Sequence, residues 1–164
     1  MPFALRRFLA ALLILLAAAS PALARSLQGV VSHVTDGDTI WVRPAGAAEA
    51  VQVRLLGIDA PEICQAFGVQ ARQALADRVL HRPVEVAVRA HDIYHRTVGR
   101  VTLGDVDIGA WLVQSGHAWS SHYKRRTGPY AAQEAQARAA RRGLWAEAAP
   151  LEPRLFRKSH GSCH

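Results

Sequence analysis

Residues 51–62 read Val-Gln-Val-Arg-Leu-Leu-Gly-Ile-Asp-Ala-Pro-Glu, and this stretch decides how the rest of the chain is interpreted. In its first half, valine and leucine alternate with glutamine and with Arg54, which predicts a β-strand whose apolar side chains share one face. Its second half passes a glycine and a proline and carries two acids, Asp59 and Glu62. The strand therefore ends in a turn that is rich in charged side chains.

The segments on either side of this strand predict a small barrel. Period-2 or β-branched patterns indicate four further strands, and apolar spacing, glycines and a proline indicate three helices. The strands are expected at residues 27–35, 39–43, 84–88 and 98–103, and the helices at 65–80, 107–115 and from about 128 to 143. Val69 is counted with the apolar face of the first helix, and Asp107 is the expected N-cap of the second. Five strands with a helix between the third and fourth is the order of an α+β, five-stranded oligonucleotide-binding (OB-fold) β-barrel. Periodicity alone leaves other α+β arrangements open.

An apolar run near the amino terminus predicts an export signal. Arg6 and Arg7 precede an almost unbroken apolar stretch at 8–19, and residues 22–24 give a small-x-small cleavage pattern. The run is shorter than the roughly 20 residues that span a bilayer as a helix. We therefore expect residues 1–24 to be a removable signal peptide and the product to be exported, periplasmic or secreted, without stable membrane association. An uncleaved anchor is the alternative.

The remaining 140 residues suit one domain, expected at 25–148, followed by a C-terminal tail at 149–164. Without Arg6 and Arg7, 18 basic side chains stand against 13 acidic ones, a formal charge of +5. This surplus favours a polyanionic partner, because basic side chains displace counterions from phosphate backbones. Charge alone is weak evidence, since many exported proteins are basic.

The two cysteines leave two interpretations open. In an oxidising compartment, a disulfide between Cys64 and Cys163 would hold the tail near the middle of the chain. Two free thiols are the other interpretation, because sequence gives no distance between them. For the cluster of His160, Cys163 and His164 we expect a frayed tail rather than a metal site.

Three charged segments, 36–39, 54–62 and 92–96, fall at predicted turns or strand ends. The carboxylates of Asp38 and Asp59 are hard oxygen ligands that suit Ca²⁺ or Mg²⁺ rather than zinc. Glu62 is a candidate acceptor of a proton from an attacking water. Arg54 and Arg96 are candidates for a two-sided clamp on a phosphate. Together these residue types predict metal-assisted cleavage of a phosphodiester.

Each segment taken alone also has an ordinary structural explanation. An isolated Asp-Gly-Asp is usually a turn. Arg54 alone fits the solvent face of a half-buried strand, and Asp92 with Arg96 fits an exposed ion pair of little energetic weight. The functional interpretation depends on all three segments occurring together and in order.

In that order, Asp-Gly-Asp-Thr at 36–39, Arg-Leu-Leu-x-x-Asp-x-Pro-Glu at 54–62 and Asp-x-Tyr-x-Arg at 92–96 resemble the signature of the staphylococcal nuclease family. The match continues with Val-Gln-Ser-Gly at 113–116, and with Glu-Ala-Gln-Ala-Arg at 134–138 followed by Gly-Leu-Trp at 143–145. The likeness spans about residues 30–145.

This resemblance implies a five-stranded OB-fold barrel with three helices, holding one Ca²⁺ and acting on DNA and RNA to leave 3′-phosphate ends. We expect it to act as a monomer. The roles carried over by position fall on nine residues. They are Asp38, Asp59 and the Ala60 carbonyl for the metal; Asp36 for support of the metal site; Arg54, Glu62 and Arg96 for catalysis; and Tyr94 and Tyr123 for nucleotide contact.

The chain departs from the family pattern in the third motif. His95 stands where the family usually has glycine, which matters if the loop requires a positive φ. Arg100 is a rival to Arg96, but the spacing from Asp92 favours Arg96, and Arg100 is expected to pack or to face solvent. The segment after Glu62 is shorter than in the best-known member of the family, and the tail has no assigned counterpart.

Two non-catalytic alternatives accompany the nuclease hypothesis. One is a nucleic-acid-binding OB-fold module that has lost cleavage. The other is an envelope barrel that binds sugar or protein and carries its charges for solubility. The first usually lacks the acids or arginines, and all five of those positions are filled here. The second does not explain their spacing.

Overall fold

The computed structural model describes residues 26–122, 127–161 and 163. The predicted signal peptide, Tyr123 and His164 lie outside these residues. Among the described residues, no helix is long and apolar enough to cross a membrane.

Five strands form the closed barrel that the sequence predicts. They are β1 (Ser26–Val34), β2 (Thr39–Pro44), β3 (Val51–Leu55), β5 (Pro83–His91) and β6 (Thr97–Leu103), paired in the order β3-β2-β1-β5-β6. A parallel pairing between β3 and β6 closes the ring. Register shifts in β1 and β5 mark bulges, which let strands bend around a small barrel. Short two-residue strands, β4 (Ile58–Asp59), β7 (Val106–Asp107) and β8 (Trp119–Ser120), are added outside the ring.

Alternation along the strands fills the barrel with small branched side chains. In β3, Val53 and Leu55 are buried while Arg54 is only partly covered, as the period of two predicts. Buried residues of β1, β2, β5 and β6 meet them in one core, which the helices extend. A second cluster contains Trp119, Ala137, Leu144 and Trp145.

Four α-helices lie within the described residues, one more than the sequence predicted. They are α1 (Gly68–Val79), α2 (Ile108–Gln114), α3 (Ala131–Ala139) and α4 (Pro153–His160), and a 3₁₀ turn spans Gly143–Ala146. The carboxylate of Asp107 accepts a hydrogen bond from the Ala110 amide at 3.0 Å, which confirms the predicted N-cap of α2.

Several details of the predicted helices were wrong. α1 begins at Gly68 rather than at residue 65, because Phe67 adopts a left-handed conformation with φ of 69° just before it. Val69 was counted with the apolar face but is 62% exposed, and Ala71, Leu75 and Val79 form the buried stripe. α3 begins at Ala131 rather than at 128–129, because the preceding Tyr130 amide donates to the Ser120 hydroxyl at 3.0 Å.

The predicted frayed tail was also wrong. Residues 153–160 form α4, with a proline in its first turn. Cys64 and Cys163 are disulfide-bonded, with their Cα atoms 5.9 Å apart, so the open question of their pairing is answered by a bond. The disulfide is one tether that holds the C-terminal segment against the barrel, and a hydrogen bond is the other: Gln65 Nε2 donates to the Leu151 carbonyl at 2.6 Å.

Candidate active site

Arg54 and two buried carboxylates form the centre of the site. The guanidinium of Arg54 contacts Asp38 Oδ2 at 2.7 Å and Asp59 Oδ1 at 3.1 Å. Asp38 and Asp59 are only 6% and 8% exposed. β3 carries Arg54 and β4 carries Asp59, while Asp38 immediately precedes β2, the neighbour of β3 in the barrel. Two acids so little exposed require positive charge or hydrogen-bond donors nearby, and Arg54 supplies both.

The segment 36–39 folds as a tight turn that aims its acids inward. Asp36 Oδ1 accepts a hydrogen bond from the Asp38 amide at 2.9 Å. Asp38 Oδ2 in turn accepts one from the Ala60 amide at 2.9 Å, joining the first and second motifs. Burial, with a contribution from the charge of Asp38, raises the pKa of Asp36 to about 7. Asp36 therefore lies directly behind Asp38, as its predicted supporting role requires.

Glu62 lies at the other end of the second motif and contacts a residue that the sequence analysis did not single out. Arg157, from α4, donates to Glu62 Oε1 at 2.8 Å and to both carboxylate oxygens of Asp59, at 3.2 and 3.0 Å. Burial acts to lower the pKa of Arg157, but the hydrogen bonds to Asp59 and Glu62 outweigh it and raise that pKa. For Asp59, burial is the largest influence and raises the pKa of its carboxyl group.

The third motif is a loop between β5 and β6 that presents Arg96. Asp92 Oδ1 accepts from the amides of Tyr94 and Arg96, at 3.0 and 2.9 Å, and Asp92 Oδ2 accepts from Arg96 Nε at 2.7 Å. Burial acts to raise the pKa of Asp92, but these hydrogen bonds from Arg96 and Tyr94 outweigh it and hold that pKa below its usual value. His95 has φ of 62°, so this loop adopts the positive φ for which glycine is usual, with a histidine in its place.

All three segments meet at one cleft. Its volume is about 610 Å³, and its lining includes Asp36, Asp38, Arg54, Ala60, Glu62, Tyr94, Arg96 and Arg157. Asp59 reaches the same cluster through its contacts with Arg54 and Arg157. Tyr94 is 71% exposed at the mouth, with the Arg96 guanidinium 5.3 Å from its ring centre. The sequence-predicted residues are therefore neighbours in space, except for Tyr123, which lies outside the described residues.

The rival arginine lies elsewhere. Arg100 is on β6, where its Nε is 3.5 Å from Asp107 Oδ2 and its side chain is more than half exposed. It is not among the residues that line the cleft. Of the two arginines, Arg96 therefore lines the cleft, and its catalytic role stays a prediction.

The donors at the centre of the cleft fit a hard divalent cation. Arg54 spans Asp38 and Asp59, so both carboxylates lie within reach of one group. Among residues 26–122 and 127–161, no cluster of three or more His, Cys, Asp or Glu side chains suited to a metal occurs. A cation held here would combine two carboxylates with a backbone carbonyl such as that of Ala60, and with oxygens of water or substrate. Such an oxygen set is typical of Ca²⁺ or Mg²⁺.

Sequence reasoning missed Arg157 because it lies 95 residues from Glu62 along the chain. The available signal was Cys64, two residues after Glu62, since a bond to Cys163 brings the basic end of the chain to the cleft. The sequence left that bond undecided, and without it no pattern connects Arg157 to the acids.

The geometry defines a class of protein: an OB-fold barrel with a surface cleft that is lined by acids paired with arginines. Comparison with known proteins is consistent with this class. The family described as staphylococcal nuclease homologue matches residues 52–147. The chain is similar to the Protein ParB of Escherichia coli, with 39% identity covering 91% of this chain and 89% of that protein.

Two further relatives have names that describe nucleases. The micrococcal nuclease of Shigella flexneri is 39% identical over 80% of this chain and 81% of its own length. An uncharacterized endonuclease of Haemophilus influenzae is 34% identical over 78% of this chain and 71% of its own length. The chain belongs to the staphylococcal nuclease family. It is a phosphodiester-cleaving endonuclease, and nucleic acids are its substrates.

Proposed function

We propose that this protein is an exported, calcium-dependent nuclease that hydrolyses both DNA and RNA and leaves 3′-phosphate ends. The observation that carries the proposal is the convergence of Asp38, Arg54, Glu62 and Arg96 on one cleft, with Asp59 bound to Arg54. The choice of calcium and of 3′-phosphate products rests on the resemblance of the three motifs to the family signature.

Asp38, Asp59 and the Ala60 carbonyl would hold the cation. When bound, such an ion polarises a phosphoryl oxygen and neutralises charge on the substrate. Asp36 supports this arrangement by fixing the amide of Asp38, and thereby the turn that carries the Asp38 carboxylate.

Arg54 and Arg96 would bind the scissile phosphate from two sides. Both line the cleft, one from a barrel strand and one from a loop. A guanidinium pairs with two phosphoryl oxygens at once and stabilises the charge that grows as the pentacovalent state forms. Asp92 holds Arg96 at its Nε, which leaves the two terminal nitrogens of that guanidinium for substrate.

Glu62 would orient a water molecule and accept its proton as the oxygen attacks phosphorus. The bond between phosphorus and the 5′ oxygen then breaks, that oxygen takes a proton from solvent water to become a hydroxyl, and the 3′ side keeps the phosphate. A carboxylate positioned in this way typically contributes about 10² to 10⁴-fold in rate. Tyr94, at the mouth of the cleft, offers a ring face to a base.

The test is a cleavage assay on DNA and RNA with purified mature protein, in calcium and in excess chelator. Glu62→Ala and Arg96→Ala should each lower kcat by at least about 10²-fold, because both interactions act mainly in the transition state. Chelation should abolish cleavage while circular dichroism shows the barrel still folded. Mapping the ends of the products decides between 3′- and 5′-phosphates.

Two matched controls separate these roles from general charge effects. Glu49→Ala removes an acid from an exposed loop, and Arg100→Ala removes the rival arginine outside the cleft. Both should cleave at close to the normal rate. Normal turnover by the Glu62 and Arg96 variants, or full activity in chelator, would contradict the proposal.

Export is supported by the apolar amino-terminal run and by the Cys64–Cys163 disulfide, since such bonds persist in oxidising compartments. The protein recovered from outside the cytoplasm should begin at Arg25, as read by amino-terminal sequencing or intact mass. A mature product that retains Met1 would contradict removal of the signal. We also propose that it acts as a monomer.

A further inference from the structure

One partner in the contact between α4 and the acids, the arginine of α4, lies outside the part of the chain that matches the family. That match ends at residue 147, whereas Arg157 belongs to the segment after it. Arg157 nevertheless forms a two-pronged pair with Asp59 and a third hydrogen bond to Glu62, all within 3.2 Å. Its guanidinium therefore contacts both a predicted metal ligand and the predicted water-orienting residue.

Arg157 is held at this place by more than its own ion pairs. The disulfide from Cys163 ends at Cys64, two residues beyond Glu62 in the chain. On the other side of α4, Leu151 accepts the hydrogen bond from Gln65. A group tethered at both ends of its helix stays at a high effective concentration near its partner, so Arg157 remains at the cleft even when one contact breaks.

A divalent cation and Arg157 compete for the same oxygens. Arg54 and Arg157 both donate to Asp59 Oδ1, and Arg157 also donates to Oδ2. A carboxylate has about four lone-pair positions, of which these bonds use three. Both positions on Oδ1 are then filled and one on Oδ2 stays open. A cation that binds Asp59 through both oxygens therefore displaces an arginine contact, and a cation at the open position repels the adjacent Arg157 charge. Because of the tether, the displaced guanidinium stays in the cleft beside Arg54 and Arg96.

We propose that Arg157 is a third phosphate-binding arginine of this cleft, which exchanges Asp59 for a phosphate of the nucleic acid when a divalent cation binds. The inference rests on the proposed function for its substrate and cation. A guanidinium that leaves a carboxylate requires another anion, and a phosphodiester offers the oxygen pair that matches its fork. The disulfide keeps the arginine in place for this exchange.

The exchange predicts two effects of opposite sign for Arg157→Ala. Without nucleic acid, calcium should bind more tightly by roughly tenfold in calorimetry, because the competing charge is gone. With calcium present, a phosphorothioate oligonucleotide that resists hydrolysis should bind more weakly by roughly tenfold in fluorescence anisotropy, because one phosphate contact is lost. A residue with only a structural role would weaken both.

Arg154→Ala is the matched control, because Arg154 is exposed on the same helix and its replacement removes the same charge. It should change either affinity by less than about twofold. Replacing both Cys64 and Cys163 by serine should shift both affinities in the directions seen for Arg157→Ala. Adding Arg157→Ala to that double variant should have little further effect, because the tether acts through this arginine. Thermal melting checks that each variant is folded.

Unchanged calcium affinity in Arg157→Ala would overturn the exchange. Equal or tighter oligonucleotide binding by that variant would show that Arg157 only blocks the site, which also overturns it. Both measurements are independent of turnover. If the wild-type protein fails to cleave nucleic acid but the two affinities shift as expected, the proposed catalytic function fails while this inference stands.

Discussion

At the scale of single residues, His95 shows how this chain keeps a glycine-like loop without glycine. Its φ of 62° lies in the left-handed region, which histidine enters more readily than most residues but still at a cost. The hydrogen bonds of Asp92 to the amides of Tyr94 and Arg96 hold the loop in this form. Arg96 is therefore held by Asp92 although histidine replaces glycine at position 95, and the left-handed conformation of His95 strains the loop.

Replacing His95 with glycine should stabilise the protein by about 0.5 to 1 kcal/mol. The gain is relief of left-handed strain of about 1 to 2 kcal/mol, reduced by the greater entropy of glycine in the unfolded chain. Urea denaturation measures the free energy of unfolding. His91→Gly is the control, because His91 is an exposed residue of β5 outside the positive-φ set and its loss should destabilise. The hypothesis fails if the two variants behave alike.

At the scale of elements, α1 and α2 contact each other through aromatic side chains around His117. This histidine follows α2 and stacks on Phe67, just before α1, with ring centres 5.7 Å apart. It also lies 6.1 Å from Trp111 of α2, over whose ring Arg78 of α1 is placed. Within the described residues its Nδ1 is buried without a hydrogen-bond partner. Burial lowers the pKa of His117.

This environment predicts a loss of stability in acid. The pKa of His117 is lower in the folded state than its ordinary value of 6.5, which applies to the unfolded chain. As the pH falls below 6.5 the unfolded chain therefore binds a proton before the folded protein does, and the folded state loses stability. His117→Phe keeps the stacking and removes the titration. The free energy of unfolding of this variant should fall less than that of the wild type between pH 7 and pH 5. Denaturant titrations at the two pH values measure this change, and an equal fall in the free energy of unfolding for the variant and the wild type would contradict the assignment.

At the scale of the whole molecule, closure of the barrel brings the residues of the candidate active site together. The parallel register pairs Val53 with Thr97 and Arg54 with Val98, so the strand that carries Arg54 lies beside the first residues after the loop of Arg96. Pairing of β2 with β3 sets Thr39 opposite Arg54, which brings Asp38 to the same guanidinium. Three motifs separated in sequence thus meet because the sheet returns to its starting strand.

Val53→Ala should lower the free energy of unfolding by about 2 kcal/mol, because Val53 is fully buried where β3 meets β6 and its loss leaves a cavity. Val30→Ala on β1 is the control. Val30 is 44% exposed, so its truncation should change stability by less than about 0.5 kcal/mol. Urea denaturation measures both free energies of unfolding. Equal losses in the two variants would mean that packing where β3 meets β6 contributes no more to stability than an exposed position does.

The sequence by itself determined the five strands, the N-cap of α2, the family and, in the cleft, the acids together with Arg54 and Arg96. Each of these depends on short-range information: alternation within a strand, a capping residue, or motifs whose spacing is compact. Helix starts were less accurate, because α1 and α3 begin where a left-handed residue or a distant hydroxyl fixes the backbone.

Only the tertiary structure decided the pairing of Cys64 with Cys163, the formation of α4 and the placement of Arg157 on Asp59 and Glu62. The physical reason is distance along the chain. These partners are separated by 95 to 99 residues, and no local pattern encodes which surface the C-terminal segment meets once the barrel has closed. The sequence motifs predicted the acids and two arginines of the cleft, whereas the path of the folded chain decided that Arg157 is placed beside them.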